Sequence, residues 1–157
     1  MASNRHLGRI VALQTLYEYE MRTQSDDPDV SVEDIMTRNI ERYESQIDDV
    51  DFIRSLIKGV IDNCKDLDEK LQPIAPEWPI DQISRIDRAT LRIGMYELFY
   101  RMDQVPPKVA INEAVEIAKA FGSDNSSKFI NGVLGTAYRT LVQGESDDAT
   151  EQTTEAK

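Results

Sequence analysis

The basic residues nearest the N-terminus have the type and spacing of a phosphate-binding site. Arg5 and Arg9 are four residues apart and His6 lies three before Arg9, so a helix would carry all three on one face. The planar guanidinium of arginine donates two hydrogen bonds at once to a phosphate. No acidic residue precedes Glu18, and we therefore predict a small basic patch here. The alternative is an ordinary solvated helix end.

Lys128 and Phe129 form a second pair with binding chemistry, directly after a run of five small polar residues, 123–127. Unstacked bases of single-stranded RNA are bound by stacking on aromatic rings, at about 1–3 kcal/mol per base. A ring beside a cation and just past a polar turn suits that role. The alternative is that Phe129 enters the core together with Ile130. The candidate secondary contacts are Lys119 and Asn131.

The sequence has no motif typical of an enzyme or a metal site. It lacks a glycine-rich phosphate loop, an HExxH zinc motif and a GxSxG nucleophile turn. Cys64 is the one cysteine and His6 the one histidine, so we expect neither a cluster of zinc ligands nor an internal disulfide. Cys64 shares an apolar stripe with Val60, Ile61 and Leu67 and is predicted to lie in the core. We predict a protein with no catalytic residue, metal or cofactor.

The net charge of −11 over 157 residues is unfavourable for a protein that coats nucleic acid without specificity, because such binding depends on many Lys and Arg contacts to phosphate. The last segment, GESDDATEQTTEAK, has five acidic residues, one lysine and no apolar face. We therefore predict a folded domain over residues 1–142 and a disordered acidic tail over 143–157. No run approaches the roughly 18 apolar residues that cross a bilayer, so we expect a cytoplasmic protein without membrane association.

Apolar residues recur at three- and four-residue spacing along most of the chain, and no segment alternates in the manner of a half-buried strand. This pattern predicts an all-α, single-domain bundle of about seven helices. The helix at the N-terminus has the broadest apolar face and is predicted to be central. The predicted helices cover residues 3–23, 32–46, 48–71, 78–83, 84–101 and 107–121, with a last one after the turn at 123–127.

A tight corner joins the last two predicted helices. Pro107 suits a first helical turn because its missing N–H is not needed there. Gly122 is predicted to end that helix, since glycine tolerates the left-handed conformation common past a helix end. Gly132 and Gly135 are predicted to allow close helix approach, because a helical glycine costs about 1 kcal/mol and needs some packing return.

Three motifs in the second half of the chain stand in the order found in one known family. DRATLRIGMYEL (87–98), KVAINEAVEIAKAFG (108–122) and KFINGVLG (128–135) resemble the transcription antitermination factor family NusB, and RIVALQTLY (9–17) resembles it more weakly. The resemblance implies an all-α, non-enzymatic adaptor that binds the boxA segment of single-stranded RNA together with NusE, a ribosomal small-subunit protein. Through this complex RNA polymerase resists termination, notably on ribosomal RNA operons.

The resemblance also implies roles for individual residues. Family members carry a denser arginine cluster near the N-terminus, and Leu7 and Gly8 stand here where more cations are expected, so we predict modest affinity for RNA alone. Tyr17 could stack on a base, hydrogen-bond it or enter the core, and Asp87 could contact NusE, cap its own helix or do both. The implied RNA-binding residues are Arg5, His6, Arg9, Gln14, Tyr17, Lys119, Lys128, Phe129 and Asn131, and the implied NusE-binding residues are Asp87 and Arg88.

Two other functions stay open. A purely protein-binding module, including a homodimer that hides the RNA face, fits the sparse arginine cluster. The RNA-binding portion of a ribosomal RNA cytosine methyltransferase also resembles NusB, but that enzyme needs a long cofactor-binding domain after this one, and an acidic tail stands there instead.

Overall fold

Seven α-helices and two short 3₁₀ turns make up the described part of the chain. The computed structural model describes the backbone of residues 3–155 and the side chains of residues 5–141, and within them there is no strand. The prediction of an all-α bundle of about seven helices is confirmed. The helices are α1 (Ser3–Gln24), α2 (Val32–Arg42), α3 (Val50–Asp62), α4 (Cys64–Leu71), α5 (Arg85–Tyr100), α6 (Pro107–Phe121) and α7 (Ser126–Glu155); the 3₁₀ turns are Glu44–Gln46 and Ile80–Gln82.

Short polar side chains begin three of these helices. The Ser31 hydroxyl accepts a hydrogen bond from the Asp34 N–H at 3.3 Å at the start of α2. Asp49 accepts from the Phe52 N–H at 3.0 Å at the start of α3. At the start of α5, it is Ser84 that accepts from the Asp87 N–H, at 3.3 Å. These oxygens satisfy N–H groups that have no partner inside a first turn.

The sequence predicts one helix over residues 48–71, but the structure has two helices there, α3 and α4. The prediction is wrong because the helix is interrupted at residue 63. Asn63 ends α3 and precedes α4, with φ −110° and ψ 12°. Its side-chain amide donates to the Gly59 carbonyl at 2.8 Å, and its backbone N–H bonds to the same oxygen at 3.1 Å. The helix predicted over 78–83 is likewise only the 3₁₀ turn Ile80–Gln82.

The central helix is α5, rather than the N-terminal helix that the sequence predicted. Helix α5 packs against α1, α3, α4, α6 and α7 and is buried at ten positions, 88–91 and 93–98. Helix α1 packs mainly against α2, α3 and α5 and keeps a half-exposed stripe at Ile10, Gln14 and Tyr17. Candidate functional residues on α1 therefore have access to solvent along one side.

The glycines predicted for special roles behave differently from one another. Gly122 follows α6 with φ −89°, so the predicted left-handed conformation is wrong. It is needed for space instead, since a Cβ atom there would lie 2.5 Å from the Ser126 side chain and 2.8 Å from the Ala118 carbonyl oxygen. The predicted close packing at Gly132 and Gly135 is also wrong. A Cβ at Gly132 would meet nothing within 4 Å, and one at Gly135 only the end of a flexible arginine side chain.

The C-terminal part of the chain is described only by its backbone. Helix α7 runs to Glu155, and the side chains of residues 142–157 lie outside the described residues. The disordered acidic tail over 143–157 and the domain boundary at 142 stay predictions. Within residues 3–155 no helix is both long enough and apolar enough to span a membrane.

Candidate nucleic-acid interface

The structure takes Arg9 out of the predicted basic patch. Its side chain is 3% exposed, and Nε and Nη2 each donate to a carboxylate oxygen of Glu97 at 2.8 Å. Glu97 lies on α5 and is itself 1% exposed. A guanidinium held in this buried, two-bond pair is not presented to an RNA phosphate, so the predicted exposed cation at this position is corrected to a link between α1 and α5.

Arg5 and His6 stay accessible, but each has an acidic neighbour. The Arg5 guanidinium lies over the Phe52 ring, 4.6 Å from the ring centroid, and Nη2 is 3.9 Å from Asp49. His6 Nδ1 is 2.6 Å from a carboxylate oxygen of Glu113 on α6. The two cations that stay accessible in the described part of this helix end therefore each have an acidic group beside them, and the basic patch stays a prediction.

A groove further along α1 contains two of the predicted RNA-binding residues, Gln14 and Tyr17. His6 on α1 pairs with Glu113 on α6, and Tyr17 on α1 and Phe121 on α6 line the same groove. The groove has a volume of about 280 Å³ and is called the Tyr17 groove. Its lining includes Leu13, Gln14, Tyr17, Met21, Ile86 and Phe121.

A second groove contains Phe129 and a residue that sequence reasoning missed, Trp78. The two rings meet edge to face, with centroids 6.3 Å apart and planes at 72°. Phe129 is half-buried, whereas Trp78 is 53% exposed. Trp78 is the sequence's only tryptophan, and the sequence predicts no more than the start of a helix there. We call this surface, of about 290 Å³, the Trp78 groove; it is lined by Trp78, Ser84, Asp87, Asn125, Ser126 and Phe129 among others.

The two grooves adjoin one another at the first turn of α5. Ile86 lines the Tyr17 groove and the next residue, Asp87, lines the Trp78 groove. Each groove also contains one buried side-chain oxygen, Gln14 Oε1 or Asp87 Oδ1, that has no hydrogen-bond partner; they are the only two such atoms in the described part of the chain. Arg5 and His6 are more remote, since Arg5 is about 18 Å from Tyr17 along α1 at 1.5 Å per residue.

The remaining predicted RNA contacts lie on exposed surface. Lys128 and Asn131 on α7 are exposed, and Lys128 has no ion pair with any described residue. Lys119 on α6 is exposed and lies 3.4 Å from Glu116, a pair that contributes little because both side chains are solvated.

The two predicted NusE contacts, Asp87 and Arg88, differ in how far their side chains are exposed to solvent. Arg88 is 7% exposed and is bound to Glu20 and to the carbonyls of Ile80 and Ile83, at 3.1 and 2.9 Å. Its contact with NusE stays a prediction, although most of its guanidinium is already bound within the fold. Asp87 is half-exposed, and Ser84 rather than Asp87 caps α5.

Glu20 is the centre of the charge network that holds Arg88. Burial raises the pKa of the Glu20 carboxyl, but hydrogen bonds and charge from Arg88 and Arg92 outweigh burial and leave that pKa below its ordinary value. Arg92 also binds Asp68 at 2.8 and 2.9 Å, so the network joins α1, α4 and α5.

No group of three or more His, Cys, Asp and Glu side chains within the described residues is placed to hold a metal ion. Cys64, predicted to be core, is only half-buried. Burial raises the pKa of its thiol, which keeps the reactive thiolate scarce near neutral pH.

Comparison with known proteins connects this geometry to a family. A sequence profile of the NusB family matches residues 6–139. The chain belongs to the NusB family. This NusB match extends from α1 into the first half of α7, and so includes both grooves and Trp78.

Individual NusB relatives match over nearly their full length. The transcription antitermination protein NusB of Chloroflexus aggregans is 39% identical over 150 residues, covering 94% of this chain and 96% of the relative. The solved NusB of T. maritima is 29% identical with a TM-score of 0.75, covering 86% of this chain and 90% of that one. A solved complex of antitermination factors NusB and NusE with dsRNA has a chain of the same fold, with a TM-score of 0.75, 21% identity, and coverage of 89% and 99%.

Proposed function

We propose that this chain is a transcription antitermination factor that binds boxA-type single-stranded RNA together with NusE. The observation that carries the proposal is the near-complete match to the Chloroflexus aggregans protein, whose name is transcription antitermination protein NusB. The complex would act on the RNA polymerase elongation complex indirectly and promote processive transcription of ribosomal RNA operons. An adaptor of this kind works in the bacterial cytoplasm and has no catalytic residue.

The proposed RNA surface is centred on the two grooves rather than on the N-terminal arginines. Phe129 and Tyr17 supply rings at which bases can stack, and stacking tolerates a protein of negative net charge better than phosphate binding does. Lys128 supplies a cation beside Phe129. Arg5, His6, Gln14, Lys119 and Asn131 are proposed as secondary contacts, and Arg9 is proposed to act only by holding α1 against α5.

A joint complex with NusE is supported by a solved structure of the same fold that contains NusB and NusE with double-stranded RNA. We propose that NusE docks near the first turn of α5. Since Arg88 is buried, the docking would depend on exposed neighbours of that turn rather than on Arg88 itself.

One observation favours a second candidate function, a protein-binding or homodimeric module with weak RNA binding. Arg9 is paired with Glu97, His6 with Glu113, and Arg5 lies near Asp49, so the N-terminal end of α1 offers phosphate little net positive charge. Such a module would still bind NusE or a second copy of itself.

The deciding experiment measures binding of labelled single-stranded boxA RNA and of a scrambled control, with and without the cognate NusE, at two salt concentrations. The solution mass is recorded for each mixture, and a boxA duplex is included as a control. We expect tighter, sequence-selective binding of the single strand when NusE is present. A stable complex with NusE or a homodimer, without any RNA bound, would favour the second candidate.

A further inference from the structure

The ring of Phe52, near the start of α3, lies against the exposed Arg5 side chain on α1. The central carbon of the Arg5 guanidinium is 4.6 Å from the ring centroid. The same ring is 5.2 Å from the guanidinium carbon of Arg9, which the pair with Glu97 fixes between α1 and α5. Phe52 is itself packed against the core, and Asp49 accepts its backbone N–H at 3.0 Å. The ring is therefore a fixed surface on which the Arg5 side chain rests.

The close approach of Phe52 to α1 depends on the glycine at position 8. Gly8 is buried, and a Cβ atom there would lie 3.1 Å from a side-chain carbon of Ile53 and 3.3 Å from one of Phe52. A larger side chain would therefore need α1 and α3 to move apart. Position 8 faces α3 rather than solvent, so an arginine there would not add to the exposed cations. The sparse arginine cluster of this chain consequently has a structural cause.

The Arg5 guanidinium keeps its N–H groups available for a ligand. Its one ion pair within the described residues joins Nη2 to Asp49 at 3.9 Å, which is too long for a hydrogen bond. The other carboxylate oxygen of Asp49 already accepts the Phe52 N–H. A guanidinium whose flat face rests on an aromatic ring still presents its N–H edge, which can donate two hydrogen bonds to one phosphate. The geometry of Arg5 is therefore compatible with phosphate binding in spite of the neighbouring acid.

The ring affects binding because the arginine side chain is long and flexible. An exposed arginine occupies many rotamers, and a ligand must select the few that place the guanidinium correctly. The apparent affinity is reduced by the fraction of time that the side chain spends in those rotamers. A ring that holds the guanidinium over α3 raises that fraction without adding charge. Such a device suits a chain with a net charge of −11 and few exposed cations at this helix end.

We infer that Phe52 is a positioning residue for RNA binding: its ring holds the Arg5 guanidinium ready for a backbone phosphate of the RNA strand, and Gly8 admits the ring. This inference rests on the proposed RNA-binding function. Phe52 acts through Arg5 and not by contact with the RNA. Its contribution should therefore disappear when Arg5 is removed, whereas a ring that only stabilised the fold would contribute equally with and without Arg5.

The test is a double-mutant cycle of Phe52→Leu and Arg5→Ala in the full-length chain, with its cognate NusE and labelled single-stranded boxA RNA. Phe52→Leu keeps an apolar side chain and removes the ring. It should weaken RNA binding about two- to fivefold, the range of an exposed cation–π contact, and should have no effect in the Arg5→Ala background. The slope of log K against log salt should stay unchanged in Phe52→Leu, which keeps the cation, and become shallower by about 0.7 in Arg5→Ala.

Two further variants are the controls. Phe52→Tyr keeps the ring and should bind RNA as the wild type does. Phe99→Leu removes a matched contact elsewhere, since Lys70 Nζ on α4 lies 5.7 Å from the centroid of the Phe99 ring on α5, and it should leave RNA affinity unchanged. Thermal melting of each variant checks the fold, and binding of NusE without RNA checks the partner surface.

Four results would overturn the inference. An unchanged RNA affinity in Phe52→Leu would show that the ring does not position Arg5, and would leave the proposed RNA-binding function standing. An equal loss with and without Arg5 would show that the ring acts on the fold or touches the RNA directly. Loss of NusE binding in Phe52→Leu, with RNA affinity unchanged at saturating NusE, would assign the ring to the protein partner. A wild-type chain that does not bind boxA RNA, even with NusE, would contradict both proposals.

Discussion

Arg5 and Arg9 have the same chemistry and lie one helical turn apart, yet the fold gives them opposite roles. The Arg9 guanidinium is enclosed by α1 and α5 and forms two bonds with Glu97, whereas Arg5 remains at the surface over Phe52. A buried ion pair is costly to break on one side only, because the remaining charge loses its partner without regaining water. Substitution of the two arginines should therefore affect different properties of the protein.

We expect Arg9→Ala to lower the free energy of unfolding by about 3–5 kcal/mol, because it leaves Glu97 charged and buried. Arg5→Ala should lower it by less than about 1 kcal/mol, since it removes only an exposed cation–π contact and a distant ion pair. Urea unfolding followed by circular dichroism measures both values. RNA affinity, measured at a temperature where both variants are folded, should fall for Arg5→Ala and stay unchanged for Arg9→Ala.

The double variant Arg9→Met with Glu97→Leu is the matched control. Because it replaces the whole pair by apolar side chains of similar volume, it should be more stable than Arg9→Ala. If Arg9→Ala had the same urea midpoint of unfolding as the wild type but bound RNA weakly, Arg9 would be an RNA contact.

At the scale of the helices, the periodic apolar spacing predicts most of the helices. It does not predict where a helix breaks or which helix is the most buried. The proline and polar caps that begin α2, α5 and α6 are local signals, and those starts were predicted to within a residue or two. The spacing does not predict the break at Asn63, because the apolar stripe continues through it and no proline or glycine adjoins it. The burial of Arg9 and Arg88 was missed because their acidic partners, Glu97 and Glu20, are 88 and 68 residues away in sequence.

The grooves show the same division between local and long-range information. Phe129 was recognised from its local neighbours, a lysine and a polar turn. Trp78 and Asp87 were not connected to it, because a groove formed by α5, the segment before it and α7 exists only after the helices pack. The signal in the sequence is that Trp78 is the one tryptophan and stands between Pro76 and Pro79, outside the apolar helix stripes, since tryptophan is enriched at binding hot spots.

The corner between α6 and α7 provides an element-scale prediction with an internal control. Gly122→Ala should lower the free energy of unfolding by about 1–3 kcal/mol, because its Cβ would meet the Ser126 side chain and the Ala118 carbonyl within 2.8 Å. Gly132→Ala should raise it by about 0.5–1 kcal/mol, since alanine is the better helix former and its Cβ meets nothing within 4 Å. Thermal melting of the two variants under identical conditions measures the contrast. Equal destabilisation by both would contradict the packing described for this corner.

At the scale of the whole molecule, a net charge of −11 restricts how the protein can hold RNA. Each phosphate contact to a single strand contributes about −0.7 to the slope of log K against log salt. The exposed cations of the proposed surface are few, namely Lys128, Lys119 and Arg5. The protein is therefore suited to base stacking and a protein partner more than to counterion release.

We predict a salt slope no steeper than about −2 for binding of single-stranded RNA, because at most three cations contact phosphate. Lys128→Ala should make the slope shallower by about 0.7. Lys65→Ala is the control, since Lys65 is exposed on α4, which does not line the Trp78 groove. Titrations at three or more salt concentrations give the slopes, and an equal change in both variants would argue against a specific contact by Lys128.

Stability at acid pH tests the network through which α1, α4 and α5 are joined. The pKa of Glu20 is lower in the folded protein than its ordinary value of 4.5, because Arg88 and Arg92 outweigh the effect of burial. A lowered carboxyl pKa stabilises the folded state fully above the unfolded pKa, and that contribution disappears as the pH falls through the folded pKa. Glu20→Gln should consequently be less stable than wild type at pH 7, and the difference in the free energy of unfolding between the two should narrow below about pH 4.5 as Glu20 becomes protonated.

Glu69→Gln is the control, because it changes an exposed acid without an ion pair among the described residues, and it should show no such narrowing. Urea unfolding at a series of pH values measures the difference, and a difference that stayed constant down to about pH 3 would mean that Glu20 does not hold the three helices through its charge.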